Sequence, residues 1–194
     1  MKKKYTFHRK TLETDIKGFI KLNGSGKAKV ATGIGFMDHM LTLLCFHSGF
    51  DIELNATGDL NVCSHHTIED IALCLGDTLL KVLRDRKGIR RYSCFYLPTD
   101  ETLTRTVIDI SGRPFHRFRG TLNTESVGAF PTEMVAHFFN SLAMAGKMTI
   151  HQEILYGEND HHKIESLFKG LGKALAEAVS IVDPTKIPSS KGML

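Results

Sequence analysis

Apolar residues recur at intervals of three and four along four segments of the chain, a pattern typical of amphipathic helices with one buried face. Two of these segments, 65–79 and 161–175, begin at a pair of adjacent histidines. The other two begin near Asp38 and Ala136, and each ends at a glycine and continues into alternating apolar and polar residues. Each half of the chain is therefore predicted to contain a helix, a strand and a second helix.

Alternation of apolar and polar residues also predicts two strands ahead of the helices in each half. A glycine-containing turn follows each pair of strands. The predicted strands are 4–9 and 14–22 in the first half, and 92–98 and 102–110 in the second. The order of strands, helix, strand and helix thus occurs twice along the chain.

The two halves form an internal repeat. His65-His66-Thr67-Ile68-Glu69 aligns with His161-His162-Lys163-Ile164-Glu165 at an offset of 96 residues. A weaker match upstream, at an offset of 98 residues, aligns His39 with His137. Self-similarity over such long segments predicts two halves with the same fold.

The boundary between the halves is expected near 88–91, which gives halves of 1–90 and 91–194 within one compact unit. Each half has one apolar face to bury, and the simplest way to bury both is to pack them against each other. We therefore predict an α+β fold of two pseudo-symmetric repeats. Each repeat would be an antiparallel sheet with two helices on one face, and the helices would pack between the two sheets.

Composition and charge exclude several classes of protein. The chain has 194 residues, of which 42% are hydrophobic and 24% charged, as in an ordinary globular domain. No apolar run reaches the roughly 18 to 20 residues that a membrane helix needs, and the first residues lack the apolar core of a secretory signal. We therefore expect a cytoplasmic protein with no membrane partner. The net charge of +4 comes from scattered residues, which fits a small anionic substrate and no nucleic-acid partner.

The cysteines form no CxxC pair and lie in apolar or strand-like stretches. They are Cys45, Cys63, Cys74 and Cys94. This distribution predicts free, buried thiols and neither disulfides nor a zinc knuckle.

The two His-His-x-x-Glu motifs are candidate metal sites. Residues four apart on a helix lie on one face, so His65 and Glu69 can bind one ion together. His161 and Glu165 can do the same in the second repeat. The second histidine of each pair points about 100° away and can reach only another ion.

Symmetry divides these residues into two sites of three imidazoles and one carboxylate each. The sites would contain His65, Glu69 and His162, and His161, Glu165 and His66, respectively. His39 and His137 would each complete one site, but the sequence leaves open which histidine joins which site. It also leaves open whether one chain or two adjacent subunits supply each site.

Histidine and carboxylate ligands suit manganese, zinc, iron or nickel, and four protein ligands leave open positions on an octahedral ion. One alternative is that the histidines are simply hydrogen-bonded to carboxylates. A second is a manganese- or zinc-binding protein for storage or sensing, which predicts closed coordination and no arginines directed at phosphate. A third is another metal-dependent lyase or hydrolase, which substrate profiling would separate.

Several longer motifs resemble those of the imidazole-glycerol-phosphate dehydratases of histidine biosynthesis, over essentially the whole chain. The motifs are Gly35-Phe36-Met37-Asp38-His39-Met40-Leu41, Gly58-Asp59-Leu60, His65-His66-Thr67-Ile68-Glu69-Asp70, Ser111-Gly112-Arg113-Pro114 and Glu158-Asn159-Asp160-His161-His162-Lys163. Cys63 departs from the family pattern, which usually has an acidic residue there, and this puts in doubt one carboxylate behind the first histidine pair. Some relatives carry an additional phosphatase domain, and the lack of such a segment predicts a single activity.

The resemblance implies that D-erythro-imidazole-glycerol phosphate loses water to give imidazole acetol phosphate, and that the protein is a homo-oligomer of 24 chains. It also implies two Mn²⁺ ions per subunit at subunit interfaces, although other divalent metals would suit. The implied metal ligands are His39, His65, His66, Glu69, His137, His161, His162 and Glu165. The implied substrate contacts are Glu13, Arg91, Arg113, Lys169, Ser189, Ser190 and Lys191.

In such a reaction the proton to be removed has no neighbouring carbonyl group, so the imidazole ring has to accept the electrons. Two metal ions on the two ring nitrogens would stabilise an imidazolate and then a diazafulvene-like intermediate. The resemblance assigns Glu13 as the catalytic base that takes the carbon-bound proton. The sequence alone favours a surface carboxylate at this position.

Overall fold

A computed structural model of the chain describes residues 4–194, and it has the predicted repeat of strands, helix, strand and helix. The first half contains β1 (Tyr5–Lys10), β2 (Thr14–Lys21), β3 (Ala28–Ala31), α1 (Gly35–Ser48), β4 (Asp51–Gly58) and α2 (His65–Leu83). The second half contains β5 (Tyr92–Thr99), β6 (Thr102–Asp109), β7 (Phe115–Arg119), β8 (Ser126–Val127), β9 (Phe130–Pro131), α3 (Glu133–Gly146), β10 (Thr149–Tyr156) and α4 (Asp160–Ala178).

Each half builds a four-stranded sheet of the same topology. The strand order is β1-β2-β4-β3 in one sheet and β5-β6-β10-β7 in the other. Three strands of each sheet are antiparallel, as expected, but the edge strands β3 and β7 run parallel to their neighbours. The reason is the connection, because a helix lies between β3 and β4 and another between β7 and β10. Such a crossover returns the chain in the same direction.

The four helices form a layer between the two sheets, as predicted, and they pair across the halves. Helix α2 packs on α3, and α1 packs on α4. Gly76 of α2 and Gly172 of α4 make the close approach possible. A Cβ atom at Gly76 would lie 2.6 Å from the carbonyl oxygen of Leu142, and one at Gly172 would lie 2.8 Å from that of Leu44. These two glycines are 96 residues apart, so the repeat preserves both crossings.

Two of the four cysteines depart from the expectation of buried thiols. Cys45 and Cys74 are free and buried, and burial raises the pKa of each thiol to about 12. Cys63 and Cys94 are also free, but both are exposed. Cys63 lies in the loop before α2, and Cys94 lies on the outward face of β5, so neither has a second layer above it.

Among the described residues, no helix is both long and apolar enough to cross a membrane.

Arg84 ends α2 with a backbone conformation that favours glycine, at φ 48° and ψ −115°. A side chain with a Cβ atom is strained there, typically by about 1–3 kcal/mol. We expect Arg84→Gly to raise the free energy of unfolding by about 1 kcal/mol, after the greater flexibility of glycine in the unfolded chain is subtracted. Urea denaturation would measure this change. Arg84→Ala keeps the strain and should leave stability within about 0.5 kcal/mol, so equal effects of both variants would contradict the explanation.

Two candidate metal centres

The first candidate centre lies where α2 packs on α3. His65 and Glu69 are one helical turn apart at the start of α2, and His137 of α3 faces them. The rings of His65 and His137 have centroids 4.5 Å apart, and Nε2 of His137 lies 3.3 Å from Oε1 of Glu69. One donor atom from each residue lies within 4.8 Å of the others. Three ligands can therefore converge on one ion.

The second candidate centre lies where α1 packs on α4, and it has the same composition. Its residues are His161 and Glu165 of α4 and His39 of α1. Oε2 of Glu165 lies 3.2 Å from Nε2 of His161 and 3.3 Å from Nε2 of His39. Asn159 caps this helix by accepting the backbone N–H groups of both residues of the second histidine pair. The repeat in the sequence thus corresponds to a repeat of the site.

The structure shows which of the two remaining histidines lies beside which motif. His137 lies with His65 and Glu69, and His39 lies with His161 and Glu165. Each cluster therefore draws its ligands from both halves. Among residues 4–194, neither cluster contains a fourth histidine.

His66 and His162 lie outside both clusters, and each is held by a carboxylate through Nδ1. Nδ1 of His66 lies 2.9 Å from Oδ2 of Asp59, and Nδ1 of His162 lies 2.8 Å from Oε2 of Glu101. These hydrogen bonds raise the pKa of both imidazoles. When Nδ1 carries the proton and donates a hydrogen bond to the carboxylate, the lone pair of Nε2 is free to bind a metal ion.

The sequence did not identify the carboxylates that hold these two histidines. Asp59 lies in a motif before α2, and no local pattern indicates that Asp59 or Glu101 contacts a histidine. The histidine and its carboxylate are 61 residues apart in the second case, so no local spacing could indicate the contact. Asp59, and not residue 63, supplies the carboxylate that holds His66.

Glu13 lies beside the first of these histidines. Its Oε1 is 3.8 Å from Nε2 of His66, and Glu13, Asp59 and His66 form a third group of converging polar atoms. The carboxylate is half-exposed, at 54%. In the second half, Oδ2 of Asp100 lies 3.8 Å from Nε2 of His162 in a corresponding place. Glu13 is therefore not an isolated surface carboxylate.

Lys169 contacts the second centre directly, because it forms an ion pair with Oε1 of Glu165. Burial opposes ionisation of Glu165, but the hydrogen bond and charge of Lys169 outweigh it together with the neighbouring imidazoles. The pKa of Glu165 therefore lies below its usual value, and the group is a carboxylate at neutral pH.

The remaining predicted substrate residues lie elsewhere. Arg91 binds Asp109 through two hydrogen bonds of 2.7 and 3.2 Å and donates another of 2.8 Å to the carbonyl oxygen of Pro188. Ser189, Ser190 and Lys191 follow directly after that residue. Arg113 is exposed, with Nη2 3.7 Å from Oδ2 of Asp109. Arg91, Arg113 and the tail residues thus lie near the start of β5. The other end of this strand, where the turn with Glu101 begins, is seven residues farther along and about 23 Å away.

Known proteins are similar to this chain in both sequence and fold. Residues 32–175 match the family model described as imidazoleglycerol-phosphate dehydratase. The chain is 50% identical over 186 residues to the imidazoleglycerol-phosphate dehydratase of Clostridium botulinum, covering 96% of this chain and 95% of that protein. The solved structure of the Staphylococcus aureus dehydratase has a TM-score of 0.83 at 39% identity, over 93% of this chain and 100% of that one. The Pyrococcus furiosus structure has a TM-score of 0.84 at 34% identity, over 97% and 100%.

These similarities, with the duplicated fold and its paired imidazole and carboxylate clusters, define the class of protein as a hydro-lyase. Within that class, the chain belongs to the imidazoleglycerol-phosphate dehydratase family, which acts at the dehydration step in histidine biosynthesis.

Proposed function

We propose that this chain dehydrates D-erythro-imidazole-glycerol phosphate to imidazole acetol phosphate with two divalent metal ions per subunit, Mn²⁺ being the expected ion. The observation that carries the proposal is the pair of equal clusters, each with two histidines and one glutamate whose donor atoms lie within 4.8 Å. Imidazole nitrogen and carboxylate oxygen are ligands that Mn²⁺ accepts.

In the first cluster, one donor atom fits a metal better than it fits its neighbours. Nε2 of His137 is buried and has no hydrogen bond among the described residues, although Oε1 of Glu69 lies 3.3 Å away. A buried polar nitrogen without a partner is costly, typically by about 1–3 kcal/mol. A metal ion between His65, Glu69 and His137 would use this nitrogen as a ligand and remove the cost.

The number of ligands supports an oligomer in which neighbouring subunits complete each centre. Each cluster would supply three ligands from one chain, whereas Nε2 of His66 and Nε2 of His162 could each bind a metal ion elsewhere. We propose that these two nitrogens complete centres on adjacent copies. A homo-oligomer of 24 chains, as the resemblance implies, would provide such contacts.

The phosphate contact would also come from another copy. Arg113 is exposed and weakly engaged, so its planar guanidinium can form paired hydrogen bonds with phosphate oxygens. Arg91 would hold Asp109 and the tail in place and keep spare N–H groups for the same anion. Because this group lies at the opposite end of β5 from the turn that holds His162, a centre on an adjacent chain is the one it would serve.

Bound divalent ions would supply Lewis-acid stabilisation of negative charge on the substrate's imidazole ring. Glu13, beside His66, would accept the proton as the carbon–hydrogen bond breaks. The carbon–oxygen bond would then break, and the hydroxyl group would leave as water with the proton that Glu13 had taken up. The enol that remains would convert to its keto form, imidazole acetol phosphate. Asp59 and Glu101 would hold the rings of His66 and His162 in the orientation that ligation needs.

Removal of divalent metal with a chelator is expected to lower turnover at least about a hundredfold, and Mn²⁺ should restore it. The measurement is formation of imidazole acetol phosphate by the stripped and the reloaded protein. A folded protein that binds metal but forms no product with any divalent ion would contradict the proposal. A storage or sensing role would then replace it.

A further inference from the structure

The two halves differ most in the connection that enters the first helix of each pair. Three residues, 32–34, join β3 to α1, whereas thirteen residues, 120–132, join β7 to α3. The longer connection contains the β8–β9 hairpin. We call residues 120–132 the long connection.

Asp160 and Lys163, at the start of α4, anchor the long connection from below. Oδ2 of Asp160 accepts the backbone N–H groups of Asn123 and Thr124 at 2.6 and 2.7 Å, and the Thr124 hydroxyl at 3.0 Å. Oδ1 of Asp160 accepts a hydrogen bond from Nζ of Lys163 at 2.8 Å. The same Nζ donates to the carbonyl oxygen of Thr121 at 3.3 Å. Both charged side chains are only 3% exposed, so the ion pair itself is shielded from water.

The first half has no counterpart of this ion pair. At the offset of 96 residues, Ser64 corresponds to Asp160 and Thr67 corresponds to Lys163. Ser64 makes no capping hydrogen bond through its side chain, and the hydroxyl oxygen of Thr67 is buried without a partner among the described residues. The ion pair therefore belongs to the second repeat alone.

The long connection reaches the second candidate centre through two aromatic rings. Phe130 is fully buried, and its ring centroid lies 5.7 Å from that of Phe36. The ring of Phe36 packs edge-on against that of His161 at 5.1 Å and lies 6.5 Å from that of His39. The rings of His39 and His161 therefore both lie beside Phe36, and Phe36 packs against Phe130 of the long connection.

We propose that Asp160 and Lys163 are positioning residues for the second metal centre. They fix the long connection, which holds Phe130 against Phe36, and this contact holds the rings of His39 and His161 in the orientation for ligation. The first centre has no such support and does not depend on it. This inference rests on the proposed function, since it requires that both centres bind metal.

The test is titration of the metal-free, full-length protein with Mn²⁺, with free Mn²⁺ followed by electron paramagnetic resonance. The wild-type protein should bind two ions per chain. Asp160→Asn keeps the size of the side chain but removes the charge that holds Lys163. We expect one ion to bind with unchanged affinity and the other to bind about 10- to 100-fold more weakly, the usual effect of losing a group that orients ligands.

Ser64→Ala, at the matching position of the first repeat, is the control and should leave both affinities within about twofold. If Asp160→Asn does not fold, Thr124→Val removes a single hydrogen bond to the same carboxylate and should weaken the same ion to a smaller degree. A variant that weakens both ions equally, or leaves both unchanged, overturns the inference. A wild-type protein that binds no Mn²⁺ refutes the proposed function instead.

Discussion

Replacing His161 with alanine is expected to lower kcat/KM at least about a hundredfold, because the second centre then keeps only His39 and Glu165 from its own chain. Mn²⁺ binding should fall from two ions per chain to one. His65→Ala should have the same effect through the first centre, where His137 and Glu69 would remain. Steady-state kinetics and metal analysis of the purified variants would measure both results.

His151→Ala is the matched control, because His151 is an exposed histidine on β10 and belongs to neither cluster. It should retain full metal content and near-normal turnover. If His65→Ala or His161→Ala bound two ions and turned over normally, the assignment of the clusters as catalytic metal centres would be wrong. Loss of one ion without loss of turnover would show that only one centre takes part in the reaction.

Replacing Phe168 with alanine is expected to lower the free energy of unfolding by about 3–5 kcal/mol. Phe168 of α4 is fully buried, and its ring lies 5.1 Å from that of Phe138 and 4.8 Å from that of Phe139, both on α3. The truncation leaves a cavity between the two helices that carry His161 and His137. Urea denaturation at a fixed protomer concentration would measure the loss.

Phe46→Ala removes the same side chain from a position that is 70% exposed, and it should change stability by less than about 0.5 kcal/mol. Equal losses for the two variants would mean that the aromatic cluster between α3 and α4 is not part of the core that opposes unfolding. A larger loss for Phe168→Ala, with retained Mn²⁺ binding below the transition, would separate stability from ligation.

The parts of the fold that the sequence predicts are those set by local periodicity. Helices α2 and α4 begin at or beside their histidine pairs because the apolar face starts there, and Asn159 provides the cap. The His-x-x-x-Glu pairs, such as His65 and Glu69, are predicted for the same reason, since four residues of helix bring both side chains to one face. The buried faces of α2 and α4, from Ile68 to Leu79 and from Ile164 to Leu175, could thus be placed without a structure.

The parts that the sequence could not supply depend on contacts between distant segments. The edge strands β3 and β7 are four and five residues long, and their parallel pairing depends on the helical crossover rather than on any local pattern. Which histidine joins which centre depends on how α1 crosses α4. The carboxylate on His162 comes from a turn 61 residues away, and the backbone groups that Asp160 accepts lie 37 and 36 residues away.

Each candidate centre takes two ligands from one half and the third from the other, and this division has a consequence for how such a protein could arise. A chain with the first half alone would carry two histidines and one glutamate, the same residue types as one cluster. His65 and Glu69 would lie on α2 and His39 on α1, too far apart to form a cluster within that half. Two such chains could form the same clusters only as a twofold dimer, twice per pair, and only at concentrations that sustain the dimer. Joining the halves through residues 84–91 makes that encounter intramolecular, so the ligands meet at an effective concentration that dilution cannot change.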